Sequence, residues 1–387
     1  MQLRGNWNYP TAIRFGAGRL VELPRLCAEL GMSRPLVITD PGLAALPMTG
    51  RLMGVLHDAG LQGAALFCDI RPNPVGRDVE AGVVAYRSGG HDGVIAYGGG
   101  SALDVAKAVA LMVGQERPLW DFEDIGDNWL RANVAGMAPT IAIPTTAGTG
   151  SEVGRAAVII DEASHRKVII FHPNMLPRLV LADPELTVGL PPKLTAATGM
   201  DALAHNLEAW CSPFYHPIAQ GVALEGMRLV HDYLPRATAD GHDLEARAHM
   251  LCASMMGATA FQKGLGAIHA LAHPLGALFD AHHGLLNAIL MPYVLKRNEA
   301  AVAERLAAAA RYLNLARADF AGFLDWVLGL RERLGIPHTL AALGIDSARA
   351  DAIATMAKQD PSDGGNPLEL SVADYRALLV AAVEGRL

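Results

Sequence analysis

Four imidazoles crowd one short stretch of the chain. Residues 264–292 place His269, His273, His282 and His283 among alanine, glycine and leucine. Side chains that titrate near neutrality and bind metals are costly in apolar surroundings unless something uses them. Upstream, Gly199-Met200-Asp201-Ala202-Leu203-Ala204-His205 sets a carboxylate and an imidazole four residues apart, so both leave one face of a helix. His269 and His273 share a face in the same way. Taken singly, Asp201 reads as a surface or capping residue and His205 as a satisfied core histidine. Together, the candidates read as a divalent metal site, since helical bundles build such sites from facing helices. Spacing leaves open which three of the four histidines bind.

One carboxylate with three neutral imidazoles suits Fe²⁺ or Zn²⁺. With an open position, such an ion is a Lewis acid that favours an alkoxide or polarises an aldehyde carbonyl. The side chains need helices to carry them, and apolar residues recur at helical spacing over 194–211, 217–233, 244–263, 300–312, 321–334 and 373–384. A loop containing Gly276 and Asp280 is expected between His273 and His283. Strand patterns vanish beyond Pro191-Pro192, so residues 184–387 are read as an all-helical domain that holds the metal.

Residues 1–183 alternate differently. Short apolar strands at 36–39, 64–68, 93–97, 140–144 and 179–182 are separated by helical segments, notably one running to 59 and others at 79–88 and 102–113. A β-like opening segment spans 6–15, and a hairpin is expected around Asp161-Glu162-Ala163-Ser164. That alternation implies a parallel sheet covered on both faces, which binds ligands at the carboxyl ends of its strands. Four loops at that edge are suggestive. Gly98-Gly99-Gly100-Ser101 turns directly into a helix, whose N-terminus attracts phosphate. It is not the GxGxxG fingerprint. Asp40 follows the first of these strands, where a carboxylate can accept from a ribose diol. Asn73 sits in the rigid Pro72-Asn73-Pro74, and Thr145-Thr146-Ala147-Gly148-Thr149-Gly150-Ser151 follows the fourth strand. The four loops together read as a nucleotide cleft.

Composition agrees with two domains. The chain has 387 residues, 51% hydrophobic and 18% charged, and its mean hydropathy of +0.23 argues against disorder. A net charge of −7 without basic runs gives no footprint for nucleic acid or an anionic membrane. The four cysteines lack CxxC spacing and read as free thiols in a reducing compartment. MQLRGNWNYP has no apolar signal core, and no run of about 20 apolar residues spans a bilayer. The expected location is the cytoplasm.

With both histidine blocks, Asp40, Pro72-Asn73-Pro74, Gly98-Gly99-Gly100-Ser101, Pro144-Thr145-Thr146-Ala147-Gly148-Thr149 and Asp183-Pro184 in order, the sequence resembles the iron-containing (group III) alcohol dehydrogenases over nearly its whole length. The resemblance implies a Rossmann-like α/β domain followed by an all-α domain. It implies a metal, Fe²⁺ by preference over Zn²⁺, on Asp201, His205, His269 and His283, with His273 beside it near the nicotinamide and His282 outside the pattern. It implies NAD contacts from Asp40, Asn73, Gly99, Gly100, Ser101, Thr145, Thr146, Thr149 and Lys167, and it suggests a homodimer joined near Trp7 and Tyr9. Asp40 leads to an expectation of NAD over NADP, because a carboxylate repels the 2′-phosphate. His273 is the expected proton relay.

The sequence departs from many relatives at Leu368, where they carry arginine, and the segment Trp210 to Pro217 does not identify the substrate. The expected substrate is a small alcohol or aldehyde. A metal- and NAD-dependent lyase of the dehydroquinate-synthase type would need several lysines and arginines around the metal, and Lys263 is the one cation near the histidine blocks. The maleylacetate reductases lack the metal ligands that are present here. A non-catalytic metal-binding protein is the remaining alternative, disfavoured by the nucleotide loops.

Overall fold

The computed structural model of the chain describes residues 11–164 and 166–387. Its contacts divide it into two units. One holds the described residues up to Thr146 together with Gly150–Gly189; the other holds Ala147–Thr149 and Leu190–Leu387. The sequence pattern places the break after residue 183, and the three residues Ala147–Thr149 carry no sign of their grouping.

The first unit contains β1 (Ala12–Phe15), α1 (Leu23–Glu29), β2 (Pro35–Ile38), α2 (Pro41–Ala44), α3 (Pro47–Asp58), β3 (Ala65–Phe67), α4 (Gly76–Ser88), β4 (Gly93–Gly98), α5 (Gly100–Met112), β5 (Thr140–Pro144), β6 (Ala156–Asp161), β7 (Arg166–Phe171) and β8 (Leu179–Ala182). Six strands form a parallel sheet in the order β1-β8-β5-β4-β2-β3, and β6 and β7 form an antiparallel hairpin. The central strands β2, β4 and β5 are buried along their whole length. They read as continuous apolar runs because helices cover both faces. On one face Leu23, Leu26 and Cys27 of α1 and Leu52 and Leu56 of α3 pack on Val37, Ile95, Tyr97 and Ile141. On the other, α5 packs on β4 and α4 packs on α5. The single helix expected up to residue 59 is two, because Pro47 opens a new one. Of the opening segment, β1 is a sheet edge; residues 6–10, with the suggested dimer strand at Trp7 and Tyr9, lie outside the described residues.

The second unit is helical throughout: α6 (Pro192–Cys211), α7 (Pro217–Ala239), α8 (Leu244–Ala260), α9 (Ala267–Phe279), α10 (His283–Tyr312), α11 (Phe320–Arg333), α12 (Ala350–Gln359) and α13 (Val372–Glu384). α6 is its axis. Residues 195 to 209 are buried almost without interruption, and α7, α8 and α10 pack around it. Two expectations need correction. Gly276 lies inside α9 rather than in a loop, which shrinks to Asp280, Ala281 and His282. α10 begins at His283 rather than at 300, its interior Pro292 notwithstanding. Proline removes one backbone donor, but Leu286, Ile289, Leu290, Met291, Tyr293 and Val294 around it are buried, and that packing holds the helix together. No helix among the described residues is long and apolar enough to cross a membrane. All four cysteines are free.

Candidate functional site

In the α/β unit, strand order reverses between β2 and β4. The chain leaves β2 outward to β3, then returns past it to β4 and continues the other way. Ligands of open parallel sheets bind at the carboxyl ends of such strands. Asp40 lies at the end of β2. It caps α2, accepting from the Leu43 amide with Oδ1 at 2.9 Å, and Oδ2 faces the turn at Gly98. Gly98 has φ +147°, and a Cβ there would stand 2.7 Å from Ala102 Cβ. Only glycine fits, and the turn lets α5 start at once, with Gly99 as its cap and Gly100 and Ser101 as its first residues. No side chain caps this end, which suits its amides to an anion.

The neighbouring loops are tied to that turn. Ser101 Oγ donates to the Pro72 carbonyl, beside Asn73. The Thr145 amide donates to the Gly98 carbonyl at 3.0 Å, and Thr146 follows. The hairpin is fastened to the same region by the Ile160 amide, which donates to the Pro74 carbonyl at 2.8 Å. Lys167 pairs with Ile160 across the hairpin. Of the expected cofactor residues, only Thr149 falls outside this unit, since Ala147–Thr149 groups with the helices.

Beneath these loops is a buried polar network that the sequence reading did not single out. Asp104 of α5 accepts from the Ser151 hydroxyl at 2.5 Å and the Val158 amide at 2.9 Å. Lys107, 1% exposed, donates to the carbonyls of Ser151 (3.0 Å) and Ala156 and pairs with Asp104 at 3.3 Å. Burial holds the Lys107 ammonium below its usual range. Burial also pushes the neighbouring Glu152 carboxyl up to about 7, and its Oε1 has no hydrogen-bond partner among the described residues. A carboxylate and a cation three apart in an otherwise apolar helix were the available signal.

In the helical unit the candidate ligands converge. Asp201 and His205 lie on α6, His269 on α9 and His283 at the start of α10. Ligand atoms of Asp201, His205 and His269 all lie within 4.8 Å of one another. His283 joins them, with its Nε2 3.6 Å from Asp201 Oδ1; the same oxygen is 4.0 Å from His269 Nε2. The His205 and His269 rings stack at 4.6 Å. Helices approach this closely because Gly284, beside His283, has no Cβ; one would lie 2.3 Å from the Ala197 carbonyl and 3.0 Å from Asp201 Cβ.

Burial dictates what these groups want. Desolvation pulls His205 down to about 4 despite the opposing charge of Asp201, so it is neutral with a lone pair to give. For His269 desolvation is the largest single effect and acts downward, but the charge and hydrogen bond of Glu208, aided by Asp201, outweigh it and raise the imidazole. Glu208 Oε2 lies 2.5 Å from His269 Nδ1, and its Oε1 accepts the Ile268 amide at 2.8 Å. That fixes the ring and leaves Nε2 toward Asp201. A buried carboxylate ringed by imidazole nitrogens is a donor set for a divalent cation, and the residues fit one.

His273 sits one turn from His269, stacked on His283 at 5.4 Å and 9°. Its Nδ1 is 2.8 Å from Asp360 Oδ2. Burial opposes the Asp360 charge, yet His273 and the Ser362 amide hold the carboxyl below its ordinary range. His282 caps α10, accepting from the Leu285 amide at 3.4 Å. Lys263 is not a substrate-facing cation. Its ammonium, brought to about 8 chiefly by burial, donates to the carbonyls of Ala209 (2.9 Å) and Ser212 (2.5 Å) and closes the C-terminus of α6. Glu208, Asp360 and Asn287 of the site were missed in the sequence; only Glu208, a carboxylate three residues after His205 in an otherwise apolar stretch of helix, carried a signal.

Comparison with known proteins follows the same division. Residues 10–184 match the family model described as iron-containing alcohol dehydrogenase, and residues 195–383 match that of the C-terminal domain of the Fe-containing family. A 4-hydroxybutyrate dehydrogenase of Cupriavidus necator is 41% identical over 96% of this chain and 98% of its own. The crystal structure of a 1,3-propanediol oxidoreductase superposes with a TM-score of 0.92 at 31% identity, covering 97% of this chain and 99% of that one. A sulfoacetaldehyde reductase from Bifidobacterium kashiwanohense, solved in complex with NAD⁺, gives 0.87 at 30% identity, covering 98% and 99%.

Proposed function

The chain belongs to the iron-containing alcohol dehydrogenase family, oxidoreductases acting on CH–OH groups, and from that premise we propose that it interconverts a small uncharged alcohol and its aldehyde with NAD(H). The observation that carries the reading is the buried meeting of Asp201, His205, His269 and His283. These residues would hold Fe²⁺, with Zn²⁺ as the alternative. When bound, the ion supplies Lewis acidity toward the substrate oxygen, lowering the alcohol's pKa.

The chain's own groups do the rest. Glu208 keeps the His269 ring oriented. His273 moves the hydroxyl proton, and Asp360 holds its Nδ1 so that Nε2 is the exchanging atom. In the α/β unit the first amides of α5 take the pyrophosphate, Asp40 accepts from the adenosine ribose and disfavours a 2′-phosphate, and Lys167, Asn73, Thr145 and Thr146 complete the cofactor contacts.

The substrate class follows from charge. The side chains brought together here are the carboxyls of Asp201, Glu208 and Asp360 and the histidines, with no Lys or Arg among them. With Lys263 held by backbone carbonyls, a substrate carrying its own carboxylate near the metal is disfavoured. The test is steady-state kinetics on anaerobically Fe²⁺-loaded protein with ethanol, 1-propanol, 1,4-butanediol and 4-hydroxybutyrate, each with NAD⁺ and NADP⁺. Uncharged alcohols with NAD⁺ should give the highest kcat/KM. A higher value with NADP⁺ removes the role given to Asp40, a best value with 4-hydroxybutyrate removes the charge argument, and no turnover at all removes the proposal.

A further inference from the structure

Asn287 stands where the candidate ligands meet. It is fully buried, one turn after His283 on α10. Its Nδ2 lies 2.7 Å from Asp201 Oδ1, 3.1 Å from His283 Nε2 and 3.2 Å from His269 Nε2. A carboxylate only accepts, so the atom at 2.7 Å is the NH₂ group and not the carbonyl oxygen. With both histidines in the Nδ1–H tautomer, the one that leaves Nε2 for a metal, its two hydrogens face three acceptors. At its other end, Oδ1 is buried without a hydrogen-bond partner among the described residues. The amide is held from one side only.

In that tautomer Nε2 carries a single lone pair in the ring plane. That pair either accepts an N–H or binds a metal; it cannot do both. The Asp201 oxygen has pairs enough for two partners, so the conflict is confined to His269 and His283. We infer that Asn287 competes with the metal for these two histidines. In the metal-free protein its NH₂ group satisfies the ligand atoms and keeps the cradle assembled; when a metal is taken up, the amide withdraws from both nitrogens. Asn287 thus sets the affinity of the site, and its unfastened carbonyl end leaves it able to turn. The inference rests on the ligand set proposed above.

The test reads metal affinity rather than turnover. Zn²⁺ binding to the full-length protein is measured by competition with a chromophoric chelator, for the natural chain and for Asn287→Leu, which fills a similar volume without donors. Removing the hydrogen bonds to the two imidazole nitrogens, which exist only in the metal-free state, should tighten binding about tenfold. By linkage, the variant should lower the Tm of the metal-free protein more than that of the Zn²⁺-loaded protein. Asn287→Ser, whose hydroxyl is too short to reach the imidazoles, repeats the measurement should the leucine variant fail to fold. Binding by the variants that is equal to or weaker than that of the natural chain overturns the inference, since it makes Asn287 a support of the loaded site. If the natural chain binds no Zn²⁺, the ligand assignment itself falls and the inference with it.

Discussion

The two units build their sites from different material. In the α/β unit the recognition surface is mostly backbone: the turn at Gly98, the uncapped start of α5, and loops laced together by Thr145 N–H to Gly98 carbonyl and Ser101 to Pro72 carbonyl. Side chains there are small, and the rigidity comes from below, from Asp104, Lys107 and Ser151. In the helical unit the candidate ligands stand on helices whose backbone bonds to itself, and the site is side chains alone, with His269 held by Glu208 and His273 by Asp360. A backbone site tolerates many side-chain changes and depends on its support. A side-chain site depends on single atoms, and one substitution empties it.

That contrast predicts the ranking of variants. The largest effect belongs to His269→Ala: loss of bound metal by elemental analysis and a fall in kcat of about 10³-fold or more, as expected when several kcal/mol of Lewis-acid stabilisation go. Binding of NAD⁺, followed by fluorescence titration, should be unchanged. Full metal content in this variant would end the ligand assignment, and lost NAD⁺ binding would show that the two sites are not built independently.

An intermediate effect separates the metal from its neighbour. His273→Ala should lower kcat by about 10²–10⁴-fold, the usual worth of a positioned acid–base group, with metal content intact. Asp360→Asn, which touches neither metal nor substrate in the proposed scheme, should lower kcat by about tenfold and leave KM for the alcohol unchanged. Loss of metal from either variant would move His273 into the ligand set.

The smallest effect tests the support beneath the nucleotide loops. Burial raises the folded-state pKa of Glu152 to about 7, above its unfolded value of about 4.3. A raised folded pKa means that the folded protein binds the proton more tightly. The stabilising contribution is therefore complete below about pH 4.3 and is lost as pH rises through 7. Between pH 4.5 and 7.5 the natural chain should lose a few degrees of Tm relative to Glu152→Gln. Parallel Tm curves for the two proteins would show that Glu152 stays charged beside Lys107 throughout.

How much of this was legible depended on what carries each feature. Asp201 with His205, and His269 with His273, are visible because a four-residue step is a helix face and because these residue types are expensive in apolar sequence. The turn at Gly98 is visible because strand, glycines and helix follow in order. The start of α10 was hidden: glycine and proline are poor interior helix residues, and only the burial of Leu286 to Val294 outweighs Gly284 and Pro292. α12, ten residues long, fell below what apolar spacing alone separates from loop.

Residue type and local spacing by themselves determined which side chains could bind a metal, which segments are strand or helix, and where a phosphate would find free amides. Only the tertiary structure decided that Glu208 reaches His269 across 61 residues, that Asp360 reaches His273 across 87, and that Asn287 points its amide at three ligand atoms at once. The physical reason is range. Helix periodicity is set by backbone hydrogen bonds within one turn, whereas the partner of a buried polar group is set by which helices pack side by side, and nothing near it in the chain records that.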